Sequence, residues 1–148
     1  MTYQEDGPSA ARHLRELPAA EAMRLLASAP FGRIVFTRHA LPAVRPVNHA
    51  VVDGAIVIRT GPAMIIGEQV EQAVVAYEAD ALDDRRRLGW SVIVTGVAAP
   101  VADPGEAARL RRLVHPWVTG ELDQVIRIRP EIVTGFVLVP AQVACEPS

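Results

Sequence analysis

Apolar residues recur along the chain at two spacings. Between Leu17 and Pro30, residues Ala22, Leu25, Leu26 and Ala29 fall at helical spacing, Pro18 suits a first turn that needs no N–H, and Pro30 stops the helix. Beyond Gly32 the run Arg33 to Thr37 is β-branched and aromatic and predicts a strand, with a turn near His39-Ala40. Ala43 to Val52 and Ala55 to Thr60 flank Asp53-Gly54, a pair suited to the positive φ angles of a type I′ turn, and so predict an antiparallel hairpin. Residues 62–72 are expected to form a short helix weakened by Gly67, followed by a strand over Val74 to Glu78 and a charged loop from Asp80 to Arg87. Trp90 to Val101 is β-rich, with Gly96 marking a bulge or corner. Asp103-Pro104 opens a helix that Ala107, Leu110, Leu113 and Val114 carry toward Pro116. Gln124 to Arg129 alternates with period two, Pro130-Glu131 predicts a turn, and Ile132 to Val139 a last strand. Six or seven strands, two or three short helices and no βαβ rhythm favour a mainly β, closed or split antiparallel barrel.

Composition narrows the function classes. The 148 residues suit one domain, with 1–12 expected as a loose arm, 13–142 as the folded body and 143–148 as a tail. Net charge is −2 with both signs interspersed, which gives no field for nucleic-acid phosphates. The single Cys145 has no internal disulfide partner, and no apolar run or leader-like core is long enough for a membrane span, so a cytoplasmic protein is expected. All 15 basic residues are arginines, so an anion must be met by arginine, hydroxyl or backbone.

Candidate chemistry is sparse. No nucleotide-binding glycine motif, nucleophile elbow or metal-ligand spacing occurs, and His13, His39, His49 and His115 are not spaced as metal ligands. Ser91, Thr60 and His49 carry no triad spacing. Arg45 and Arg59 stand in otherwise apolar strands, either as solvated edge charges or as anion ligands, and Thr60 offers a hydroxyl beside Arg59. Trp90 and Trp117 suit core or interface packing, or a flat ligand. Arg85 to Arg87 beside Asp83-Asp84 is the composition of a solvated loop.

The order of short motifs resembles the pyridoxamine 5′-phosphate oxidase-like family of FMN-binding split barrels, in particular its nitroimidazole-reductase-like and actinobacterial branches. These motifs are Gly32 to Phe36, Arg45-Pro46-Val47-Asn48, Asp53-Gly54, Ile56 to Thr60, Val75 to Asp80, Gly89 to Gly96 and Ile132 to Gly135. The resemblance implies a homodimer with FMN, or in some branches a deazaflavin, in clefts between subunits, acting on a small reducible substrate. It implies that Arg45, Pro46, Val47 and Asn48 lie along the flavin, that Arg59 and Thr60 approach its phosphate, that Trp90 and Ser91 line the cleft, and that Trp117 comes from the second subunit. One departure stands out: Ile65 occupies the place of the family's phosphate-binding lysine. That leaves open an alternative in which the barrel has lost its cofactor and binds or sequesters a ligand without catalysis.

Overall fold

A computed structural model of the chain describes residues 12–61, 72–118 and 120–140. The elements in chain order are β1 (Arg12–Glu16), α1 (Ala19–Ser28), β2 (Phe31–Arg38), β3 (Leu41–Val52), β4 (Ala55–Thr60), β5 (Ala73–Asp83), β6 (Leu88–Pro100), α2 (Pro104–Arg111) and β7 (Gln124–Pro140). All strand pairs are antiparallel, in the order β1-β7-β4-β3-β2-β5-β6, and β7 also pairs with β6. That last pairing closes six strands into a ring, the split barrel anticipated from the strand pattern.

Local chemistry fixes most boundaries. Pro18 precedes α1, and Ala29, which must be extended before Pro30, ends it at ψ 138°. The β3–β4 turn has Asp53 at φ 51° and Gly54 at φ 76°, as an Asp-Gly hairpin requires. Asp103 caps α2 by accepting the Glu106 N–H at 2.8 Å, with Pro104 in the first turn.

The barrel is filled from one face of each of the six ring strands. Ile34 and Phe36, Val47, Ile56 and Ile58, Val75, Tyr77 and Ala79, Val92 and Val94, and Ile126 and Ile128 form one buried cluster, into which α1 inserts Ala22 and Leu26. A second cluster lies outside the wall, where Ala107 and Leu110 of α2, with Val114 just beyond it, cover Val57 and Val125. Glu106 fixes α2 there through Arg127 of β7 at 2.8 Å.

Four expectations are corrected. Arg12–Glu16 is a strand ahead of the first element expected from the sequence; it shows no periodic pattern because its side chains are mostly exposed and only its backbone pairs with β7. The expected turn at Pro130-Glu131 is a bulge within one strand of 17 residues, because the β6–β7 register steps from Thr95↔Ile132 to Gly96↔Pro130 and leaves Glu131 unpaired. Residues 80–83 belong to β5, paired with β6 as far as Asp83↔Leu88, so the charged loop shrinks to a tight turn. Helix α2 stops at Arg111, well before Pro116. The third helix expected at 62–72, and the tail at 143–148, lie outside the described residues apart from Gln72, which is not helical.

Candidate functional site

Alternation decides what each strand offers the site. On β3 the odd positions face the barrel interior with Val47 and His49, so Val44, Pro46 and Asn48 face outward; on β2 the outward residues are Phe31, Arg33 and Val35. On β5 they are Glu78 and Asp80, and on β6 Ser91 and Ile93. The nine residues singled out from the sequence therefore divide. Pro46, Asn48, Arg59 and Ser91 look outward, whereas Arg45, Val47, Thr60 and Trp90 lie on the inward-facing rows. Trp117 sits on the segment between α2 and β7.

One end of the barrel gathers most of the outward group. Asn48 and Arg59 each lie one residue beyond the last β3–β4 rung, His49↔Ile58. Asn48 Nδ2 donates to the Pro30 carbonyl at 3.0 Å, and its Oδ1 accepts the Trp117 N–H at 2.8 Å. This clamp leaves Trp117 68% exposed, with its ring 5.1 Å from the ring of Phe31. The Arg33 guanidinium lies 5.9 Å over the other ring of that pair, Phe31. Arg59 Nε donates to the Leu122 carbonyl at 3.0 Å, and no carboxylate of the described residues pairs with it. Among the described residues Arg45 donates only to the neighbouring Val44 carbonyl, at 2.8 Å.

Thr60 ends β4 fully buried, and its Oγ1 has no partner among the described residues. A buried hydroxyl left alone costs about 1–3 kcal/mol, so such a group marks a place where a further acceptor or donor belongs. Trp90, by contrast, packs against the core cluster, and only Ser91 reaches the outer face, opposite Asp80.

Arg33 also bridges two carboxylates, with Nη1 3.0 Å from Glu78 and 3.5 Å from Asp80. Partial burial is the chief cause that lifts the Glu78 carboxyl to about 7, the neighbouring Asp80 adds to it, and Arg33 pulls it back. Phe31, Arg33, Glu78 and Asp80 are not among the residues that sequence reasoning selects for the site. The signal for them is their place on the outward rows beside Asn48 and Ser91, which becomes visible only once the β2–β5 register, Arg33↔Glu78, is fixed. Ile65 lies outside the described residues.

The fold defines a class: closed antiparallel split barrels, here with charged and aromatic side chains gathered at one end. Within that class, the profile of the pyridoxamine 5′-phosphate oxidase family matches residues 18–137, and the chain belongs to that family. An uncharacterized Mycobacterium tuberculosis protein, Rv0080, is 56% identical over 137 residues, covering 89% of this chain and 90% of that protein. The FAD-binding protein of Mycobacterium smegmatis is 30% identical with a TM-score of 0.66, over 84% of this chain and 98% of its own. A FAD-binding protein of Mesorhizobium loti shares the fold at 23% identity and a TM-score of 0.70, over 87% of this chain and 99% of its own. No helix among the described residues is long and apolar enough to cross a membrane.

Proposed function

We propose that the chain is a flavin-dependent oxidoreductase that works as a homodimer, with the flavin held between subunits at the barrel end that carries Asn48, Arg59 and Trp117. The observation that carries this reading is the pairing, at one strand end, of a guanidinium (Arg59) and a buried hydroxyl (Thr60) that, among the described residues, have no carboxylate and no hydrogen-bond partner respectively. Such a donor set suits a phosphate, which accepts several charge-assisted hydrogen bonds. The 30% identity to a FAD-binding protein supports a flavin, FMN or FAD, as the phosphate-bearing group. The two side chains leave opposite faces of β4, so they converge only on an anion seated at the end of the strand. Bound flavin would supply the hydride or electron transfer, while this chain binds and orients it. Trp117 and Phe31 offer aromatic faces at the same end, and Asn48 fixes the Trp117 backbone.

The outer sheet face supports self-association. Val44, Val74, Leu82, Ile93, Ile132 and Phe136 are large, exposed and apolar, and they lie on outward rows of β3, β5, β6 and β7. A contiguous apolar face beyond a few hundred Å² is uncommon on a monomer and marks an interaction surface. A second copy is the occupant this family resemblance implies, and it would bring the barrel-end cluster against another subunit.

The test is spectroscopic. Purified protein is expected to absorb at about 450 nm, or to quench added FMN or FAD at micromolar concentration. Arg59→Ala should weaken flavin about ten- to a hundredfold, the worth of one charge-assisted hydrogen bond. No flavin binding at high micromolar concentration would overturn the cofactor reading.

A further inference from the structure

We propose that closure of two copies over the outer sheet face takes up protons at Glu78, so that the subunits hold together more tightly below neutrality than above it. The inference rests on the homodimer just argued and concerns its regulation.

Glu78 and Asp80 are two residues apart on β5 and share its outward face, and one guanidinium, Arg33, serves both carboxylates at 3.0 and 3.5 Å. Two carboxylates against one cation leave a unit of negative charge in excess. Among the described residues, the elements around them supply no second cation. From β6, Ile93 stands opposite Glu78 and Ser91 opposite Asp80; from β7, Thr134 and Phe136 follow in the same rows; from β2, Phe31 flanks Arg33. The next titratable group along these rows is Glu16 of β1, opposite Phe136, and it is acidic too. Exposed Ile93 and Phe136 are among the apolar residues a second subunit would cover.

Covering this cluster removes the water that now solvates the surplus charge. Burying an unpaired carboxylate is costly, and binding a proton relieves that cost. The carboxyl already rises to about 7 in the single chain, chiefly by burial, and a second subunit deepens the same cause. In a symmetric dimer the event occurs twice. The linkage then has a definite sign: above the single-chain value the free subunits have released protons that the dimer retains. Dissociation therefore grows with pH, at a limiting slope approaching about two log units of Kd per pH unit.

The experiment is sedimentation velocity with fluorescence detection over a nanomolar to micromolar dilution series at pH 6.5, 7.5 and 8.5, at fixed ionic strength. The full chain is expected to have a Kd at least about tenfold larger at pH 8.5 than at pH 6.5. Glu78→Gln should associate tightly with a flat profile, and Asp80→Asn, which leaves Arg33 and Glu78 as a matched pair, should flatten it as well. A dimer whose Kd does not change with pH, or a Glu78→Gln variant that keeps the wild-type slope, overturns the proton linkage and leaves the homodimer standing. Association that strengthens with pH also overturns it, since that is the signature of a partner arginine seated on the cluster. A monomer at every pH and concentration overturns both.

Discussion

Inside the barrel His49 makes both its ring nitrogens serve the neutral form: Nε2 donates to the Leu26 carbonyl at 2.8 Å, and Nδ1 accepts the Tyr77 hydroxyl at 2.5 Å. The pair ties α1 to β3 and β5. Burial holds the imidazole below its ordinary value of 6.5 and pushes the Tyr77 phenol up, so both stay uncharged. The native state thus binds fewer protons at His49 than the unfolded chain does, and this contribution to stability is lost as pH falls through about 6.5. Urea denaturation of wild type against His49→Gln should show the wild type losing more stability between pH 7.5 and 5.5; parallel profiles would refute the buried-neutral assignment. Tyr77→Phe leaves Nδ1 without its donor and should cost about 1–3 kcal/mol at pH 8. Glu78 acts with opposite sign, because its raised value means the native state holds the proton more tightly, so its contribution fades as pH rises from 4.5 toward 7. A double comparison with Glu78→Gln separates the two slopes.

At the scale of elements, the bulge in β7 is the feature on which ring closure depends. β4 has 6 residues and β7 has 17, so one edge of β7 pairs first with β4, through Gln124 to Ile128, and later with β1, through Phe136 to Pro140. The extra residue Glu131 lets Ile126 and Ile128 face the core before the step and Val133 and Val137 after it. Gly96 makes this possible, since a Cβ there would run into the Arg129 carbonyl and lie 3.2 Å from the Pro130 Cα. Gly96→Ala should therefore cost about 1–3 kcal/mol in thermal or urea unfolding, and a neutral result would show that the bulge yields. Gly96 is legible as a bulge because a glycine inside a β-rich run weakens the strand unless the backbone bends or another chain segment comes close there. Its partner Pro130 is ambiguous in the sequence, because a proline-acidic pair suits a turn and a bulge alike, and only pairing decides between them. The hairpin at Asp53-Gly54 and both helix starts are legible because each is fixed by residues adjacent in sequence. β1 is not, since backbone pairing to a distant strand leaves no mark on exposed side chains.

Across the whole molecule, the candidate site is legible as a region and not as a set of side chains. Arg45 to Asn48 and Arg59-Thr60 do meet at one barrel end, yet a contiguous stretch of strand sends successive residues to opposite faces, so no single cleft takes all of them. The outward rows take Asn48, Arg59 and Ser91, joined by Phe31, Arg33 and Asp80, and the outward rows of β3, β5, β6 and β7 carry the exposed apolar residues. If cofactor site and subunit contact are one surface, a change that separates the subunits must also loosen the flavin. Ile132→Glu tests this coupling at a position 60% exposed and opposite Thr95, on the strand next to β4 but seven residues along it from Val125, the partner of Arg59. A charge there costs the single chain little, within about 0.5 kcal/mol for an exposed site, but is strongly disfavoured when covered. The variant is expected to sediment as a folded monomer with native circular dichroism and at least about tenfold weaker flavin affinity, since half of the cleft has left. A monomeric variant that binds flavin as tightly as wild type would place the whole cofactor site within one chain, whereas an unchanged dimer would move the interface off this sheet face.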